Sequence, residues 1–88
     1  MKYEDVCDYA EWAELDLKIF ENPSFNNSII GISHDDRVIY DFDLMVEELV
    51  EKEDMTYEEA VEFIEYNTLR ALSYEQNAPI VLVTKGYD

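Results

Sequence analysis

The sequence predicts a small α+β domain with the element order α-β-β-α-α-β. Three observations predict it: apolar residues recur at helical spacing in three segments, two short β-branched runs flank a polar turn, and an apolar run of strand length lies near the end of the chain. We expect an antiparallel hairpin extended by the C-terminal strand, with the helices packed on one face of the sheet. At 88 residues the chain has room for one hydrophobic core, so residues 1–88 are predicted to form a single domain.

The first predicted helix runs from residue 3 to about residue 20. Its apolar stripe is formed at spacings of three and four by Val6, Tyr9, Ala10, Ala13, Leu17 and Phe20, and is widened by Trp12, Leu15 and Ile19. Pro23 disfavours helical conformation for the residue before it, so we expect the helix to end ahead of Asn22.

The hairpin and the second helix follow directly. Residues 28–33 and 37–40 are β-branched runs around the polar turn His34-Asp35-Asp36, which is typical of a hairpin. The second helix is predicted from an apolar face with the helical spacing of Phe42, Met45, Val46, Leu49 and Val50. Asp41 is its expected N-cap.

The third helix is predicted to begin at a capping box. Thr56 precedes Glu59 by three residues, so each side chain is placed to bond the other residue's backbone N–H. We expect this helix to run to about Leu72, followed by a loop over 73–79 and a strand over 80–83. Residues 84–88 are predicted to be a frayed tail.

The charge of the chain excludes several classes of function. Asp and Glu number 22 against 6 Lys and Arg, giving a net charge of -16, so we expect no direct contact with nucleic acid or with an anionic membrane. With 48% apolar residues the chain is predicted to fold rather than stay disordered. A single cysteine fits a reducing cytoplasm, and no apolar run has the length of a membrane span.

The sequence shows no catalytic or cofactor motif, so we predict a protein that is not an enzyme. His34 is the only histidine and is expected to be solvated on its turn, while Cys7 is expected to be a small core or half-buried residue. The carboxylate pairs most suited to a hard cation are Asp41 with Asp43 and Asp35 with Asp36. The simpler interpretation of these pairs is a helix cap and a turn, and we predict no metal site.

The acidic segment 47–65 is the main candidate for function. It holds nine carboxylates in nineteen residues and one cation, Lys52. If helical throughout, it would be about 28 Å long, with one negative charge per about 3 Å. A DNA strand carries one phosphate per about 3.4 Å. We therefore predict that this segment mimics a nucleic-acid backbone and contacts a partner through Glu47, Glu48, Glu51, Asp54, Glu58, Glu59, Glu62 and Glu65. The alternative is a solvated acidic face that only keeps the chain soluble.

Further partner contacts are predicted on the first helix and among the aromatic residues. Asp8, Glu11 and Glu14, or Asp8 and Glu11 alone, are spaced to share one helix face. Seven tyrosines are more than so small a core can hide with every hydroxyl satisfied, so some must lie at the surface. Tyr57 and Tyr66, on the acidic third helix, are the first candidates, because tyrosine is enriched at interfaces.

Three stretches of the chain, 37–45, 54–71 and 77–80, resemble a family of small acidic proteins of bacteriophages and prophages. The family pattern is V-Y-D-[YF]-D followed by D-x-M-[ST]-x-E-E-A-x-E-[FYW]. This chain is similar to it, with I-Y-D-F-D and E-D-M-T-Y-E-E-A-V-E-F, and the resemblance extends over about 30–83. The resemblance implies a phage or mobile-element protein that acts in a bacterial cytoplasm, and it supplies no active site. The first helix lies outside the match.

Charge pattern and resemblance together predict an anti-CRISPR type of inhibitor. The expected partner is a basic, nucleic-acid-binding defence complex, either a CRISPR-Cas effector or a restriction nuclease, bound through the acidic, DNA-mimicking surface. The alternative is a small interaction module or homodimer that uses its tyrosine and leucine surface, with no mimicry.

Overall fold

A three-stranded mixed sheet in the order β1-β2-β3 organises the fold. Strand β1 (Ile29–Ile32) pairs antiparallel with β2 (Val38–Asp41), and β2 pairs parallel with β3 (Ile80–Leu82). The predicted hairpin and its extension by the last strand are confirmed. The computed structural model describes residues 1–21, 23–72 and 76–83. The predicted frayed tail at 84–88 lies outside these ranges.

Helices precede and follow the hairpin in the predicted order. They are α1 (Tyr3–Ala13), α2 (Phe42–Lys52), α3 (Tyr57–Phe63) and the single turn α4 (Arg70–Leu72). Between α3 and α4 the chain stays helical but widens to a π-helical segment, Ile64–Leu69. The third predicted helix therefore has the expected extent, with a change of hydrogen-bonding pattern that the apolar spacing did not indicate.

The β1–β2 turn is stabilised by backbone and side-chain hydrogen bonds among its own residues. The Ser33 N–H donates to the Arg37 carbonyl at 2.8 Å, and the Ser33 hydroxyl donates to Asp35. Asp36 has a φ of 62°, a left-handed conformation that aspartate tolerates better than most residues. A β-bulge between Ile29 and Gly31 shifts the register on β1. Asp35 and Asp36 thus form a turn, as the simpler interpretation holds.

The hydrophobic core lies between the sheet and the helices α2 and α3. On β2, Val38 and Tyr40 alternate with the half-buried Ile39 and are almost completely buried. The buried core residues are Val6, Phe25, Ile29, Val38, Tyr40, Phe42, Met45, Val46, Leu49, Ala60 and Ile64. The apolar spacing of the second helix therefore located Phe42, Met45, Val46 and Leu49 in the core, while Val50, predicted on the same face, is exposed.

Helix α1 ends at Ala13, and the prediction that it continues to residue 20 is wrong. Glu14 adopts a left-handed conformation with φ 57° and ψ 44°. The Leu15 N–H donates back to the Ala10 carbonyl at 2.8 Å and the Glu14 N–H to the Glu11 carbonyl at 3.3 Å, which is the bonding of a Schellman C-cap. Glycine is the usual residue here, so its absence hid this helix end in the sequence.

After α1 the chain runs as an extended strap from residue 15 to residue 20. Leu15, Leu17 and Ile19 are half-buried and alternate with the exposed Asp16 and Lys18. This period of two is typical of an extended chain. The same residues also fit the helical spacing, so the sequence alone carries both patterns. Leu17, Ile19 and Phe20 of the strap pack against the core.

Two caps separate α2 from α3. Asp41 accepts a hydrogen bond from the Leu44 N–H at 3.1 Å, which confirms it as the N-cap of α2. The Thr56 hydroxyl accepts from the Glu59 N–H at 3.1 Å, and Glu59 accepts from the Thr56 N–H at 3.0 Å. The predicted capping box is confirmed. These bonds lower the pKa of the Glu59 carboxyl, because they stabilise its ionised form.

We expect Thr56→Ala to lower the free energy of unfolding by about 1 kcal/mol, since the Glu59 N–H loses its partner at the start of α3. Thr56→Ser keeps the hydroxyl and is the matched control, to be compared by urea denaturation. Because the pKa of Glu59 is lowered in the folded state, the box stabilises the fold at neutral pH. That stabilisation is lost as the pH falls through the folded pKa. An equal loss in both variants would contradict the cap.

Candidate protein-docking surface

Eight exposed carboxylates line one continuous stretch of chain from α2 to the π-helical segment. We call them the acidic surface: Glu47, Glu51, Glu53, Asp54, Glu58, Glu59, Glu62 and Glu65. They are the nine acidic residues of segment 47–65 less Glu48. Seven of the eight predicted contacts in this segment are therefore accessible to a partner, and the eighth is not.

Glu48 is the predicted contact that the structure removes from the surface. It is only 9% exposed, it accepts a hydrogen bond from the Ser28 hydroxyl, and its Oε1 lies 3.1 Å from the Lys52 ammonium nitrogen. Ser28 comes from the turn before β1, so this contact depends on tertiary packing that helical spacing does not reveal. The one cation of the segment is thus paired with the one carboxylate that is buried.

The acidic surface is bent, and the prediction of a single row about 28 Å long is not what the structure shows. Helix α2 ends at Lys52, Asp54 turns the chain with a φ of 56°, and α3 then packs against α2. The carboxylates are therefore carried on two packed helices and their connection. Their helical parts are fixed by the two caps, so most of these side chains project from rigid backbone.

A groove of about 330 Å³ lies on α3 and the start of the π-helical segment. It is lined by Met55, Glu59, Glu62, Phe63, Tyr66 and Asn67. The structure thus brings together three predicted contacts, Glu59, Glu62 and Tyr66, around half-buried apolar side chains. Tyr66 is 67% exposed and Tyr57, at the start of α3, is 58% exposed, which confirms that both rings reach the surface.

The acidic residues predicted on α1 are only partly arranged as expected. Asp8 and Glu11 are exposed on the helix, three residues apart. Glu14 is exposed but lies past the helix end in its left-handed conformation, so the prediction that it shares their face is wrong.

Near the start of α1, Lys2 and Lys52 help line a cavity of about 550 Å³. Two cations therefore lie at the junction of α1 with the end of α2.

The residues considered for metal binding or reactivity have other positions in the described part of the chain. No group of three or more His, Cys, Asp or Glu side chains within them is placed to hold a metal ion. Asp41 is used as a cap, and His34 is exposed, as expected. Cys7 is exposed, so its prediction as a core or half-buried residue is wrong.

Sequence reasoning missed the exposure of Trp12. It was assigned to the apolar stripe of the first helix, yet its side chain is 82% exposed. A signal was present: at about 100° per residue, six residues turn Trp12 about 120° away from the buried Val6. That rotation turns Trp12 toward the side of α1 that carries Asp5 and Asp8.

Within the described ranges, no helix combines the length and the apolar character that crossing a bilayer requires. The resemblance to small phage proteins stays a prediction. Comparison of the chain with protein-family models, with curated proteins and with solved structures found no match.

Proposed function

We propose that this protein binds a basic, nucleic-acid-binding protein of a bacterial defence system and occupies its nucleic-acid groove through the acidic surface. The observation that carries the proposal is the combination of eight exposed carboxylates with the pairing of Lys52 to the buried Glu48. Lys52 remains 58% exposed but its ammonium is paired with Glu48, so the eight exposed carboxylates face a single cation from their own segment.

The electrostatics of such a surface suit a groove that evolved for phosphates. A cleft lined by Lys and Arg focuses its field and draws in anionic ligands, which accelerates encounter. Carboxylates accept the same charge-assisted hydrogen bonds from Lys and Arg that phosphate oxygens accept. Nearby like charges destabilise a helix, so folding alone gives no reason to gather them on α2 and α3.

Preorganisation adds to this argument. Asp41 and the Thr56–Glu59 box fix the starts of α2 and α3, so the backbone that carries these carboxylates is ordered before binding. Binding then costs less conformational entropy than it would for a flexible acidic tail. As a phage or mobile-element protein in the bacterial cytoplasm, the chain would meet such a target as a CRISPR-Cas effector or a restriction nuclease.

The proposal is tested by binding at two salt concentrations and by competition. We expect affinity for a guide-loaded Cas9-type effector or for a restriction endonuclease to fall at least about tenfold between about 50 and 200 mM salt, because each contact is an ion pair screened by salt. Target DNA should displace the protein. Tight binding that DNA does not displace would contradict mimicry.

A second candidate function is a homodimer or interaction module built on the exposed tyrosines. The observation that favours it is the exposure of Tyr57 and Tyr66, the latter beside Met55 and Phe63 in the α3 groove. Self-association at neutral pH that is insensitive to salt, measured by analytical ultracentrifugation, would support this second function over the first.

A further inference from the structure

Trp12 is the most exposed large apolar side chain among the described residues, with 82% of its surface open to solvent. Tryptophan is highly buried on average, so a ring this open requires an explanation. It lies in the last turn of α1, outside the segment that carries the acidic surface. Exposed aromatic side chains of this kind are frequent anchors of protein–protein contact.

Tyr9 supports the Trp12 ring from one side. The two ring centroids are 6.2 Å apart with an interplanar angle of 34°. The Tyr9 hydroxyl donates a 2.8 Å hydrogen bond to Asp36 Oδ1, which ties α1 to the β1–β2 turn. Tyr9 is therefore fixed by tertiary structure, and Trp12 rests against a ring that does not need to reorganise on binding.

The charges around Trp12 are all negative within α1. Asp5 and Asp8 precede it on the same helix face, and Glu11 is its neighbour in sequence; all three are exposed. The last turn of α1 contains no basic residue, so the negative end of its helix dipole is not compensated from within the helix. An aromatic face, carboxylates and a helix C-terminus all favour a cation at this place.

We infer that Trp12, Tyr9 and Asp8 form a docking point for an arginine side chain of the basic partner. A guanidinium stacks on an indole face and donates hydrogen bonds to a carboxylate at the same time, which a compact, strongly hydrated lysine ammonium does less well. This inference rests on the proposed function for the basic character of the partner, and it adds a contact on α1.

A second copy of the chain is a poorer occupant of this face. Two copies meeting at Trp12 would bring together the carboxylates of Asp5, Asp8 and Glu11 from both chains. Like charges that face each other across an interface oppose association. With a net charge of -16 on each copy, long-range repulsion acts in the same direction.

The test uses Trp12 as its own reporter, because it is the only tryptophan in the chain. The protein is titrated with an arginine octapeptide and with a lysine octapeptide of equal charge. We expect the arginine peptide to protect Trp12 from acrylamide quenching more than the lysine peptide does. Trp12→Ala should weaken binding of the arginine peptide about fivefold, with a smaller effect for lysine, and Trp12→Phe should retain part of the affinity.

The outcomes separate this inference from the proposed function. If the arginine peptide binds while Trp12 quenching and the Trp12→Ala affinity stay unchanged, the docking point is wrong and the acidic surface remains the binding site. If neither peptide binds the wild-type chain, the proposed function fails as well. If quenching of the peptide-free protein falls as protein concentration rises, a second copy covers Trp12 and the inference is overturned. Circular dichroism checks that the variants fold.

Discussion

Neutralising three glutamates of α3 and the π-helical segment together, by Glu58→Gln, Glu62→Gln and Glu65→Gln, is expected to weaken binding to the basic target about 100-fold at low salt. All three side chains are exposed, and they follow one another at spacings of four and three residues. An ion pair at an accessible interface contributes up to about 1 kcal/mol, and about 3 kcal/mol corresponds to about 100-fold. Isothermal titration calorimetry against the nuclease complex measures the change.

The control for this triple variant changes the net charge equally, at residues outside segment 47–65. Glu4→Gln, Asp16→Asn and Glu21→Gln together remove the same number of exposed carboxylates. We expect this variant to slow association slightly and to keep most of the affinity, since net charge acts mainly on the encounter rate. Equal losses in both triple variants would show that total charge matters and the placement of the carboxylates does not.

If Tyr66→Ala weakens association while the α3 triple variant has no effect, the interaction-module alternative is favoured.

Truncating Tyr40 to alanine is expected to lower the free energy of unfolding by about 3–5 kcal/mol, the usual cost of deleting a fully buried aromatic side chain. Tyr40 is 0% exposed, and its ring centroid lies 4.5 Å from that of Phe20. Its hydroxyl also accepts a 3.1 Å hydrogen bond from the Phe20 N–H, which holds the end of the strap. A cavity here therefore loosens both β2 and the strap. Urea denaturation followed by circular dichroism measures the loss.

Tyr40→Phe keeps the ring and tests the hydroxyl alone, even if the alanine variant does not fold. We expect it to cost about 1 kcal/mol, because the Phe20 N–H loses its acceptor. Burial raises the pKa of the Tyr40 hydroxyl, so the folded state resists its ionisation. The contribution of this group is then complete below its unfolded pKa and is lost as the pH rises through its folded pKa. As the pH rises, the free energy of unfolding should fall less in Tyr40→Phe than in the wild-type chain. An equal fall in both would contradict the role given to the Tyr40 hydroxyl.

The candidate site was predictable where single residues project from regular helices. The exposure of Glu58, Glu62 and Tyr66 follows from their positions opposite the apolar face of the third helix. The position of a residue on a helix face does not predict the burial of Glu48. It lies between the exposed Glu47 and the buried Leu49, and only the approach of Ser28 from another part of the chain makes burial of its carboxylate favourable.

The course of the chain after α1 shows the same limit for the fold. The segment 15–20 carries both a helical and an alternating apolar pattern, and the sequence contains no glycine there to mark the helix end. Tertiary packing favours the non-helical course of this segment, because the Phe20 N–H donates a hydrogen bond to the Tyr40 hydroxyl, twenty residues further along the chain. The prediction for Trp12 is wrong for a related reason: the apolar spacing includes its ring, although Trp12 is rotated about 120° away from the buried Val6.

The sequence by itself determined the α+β class, the element order, the hairpin, both caps and the excess of negative charge, because each depends on neighbouring residues and on composition. Tertiary structure alone decided which carboxylate is buried, where α1 ends, how the acidic surface bends between α2 and α3, and that Trp12 faces solvent. These features depend on contacts between residues far apart in the chain, such as Glu48 with Ser28 and Tyr9 with Asp36. Local spacing carries no information about which distant groups will meet, and so it could not predict them.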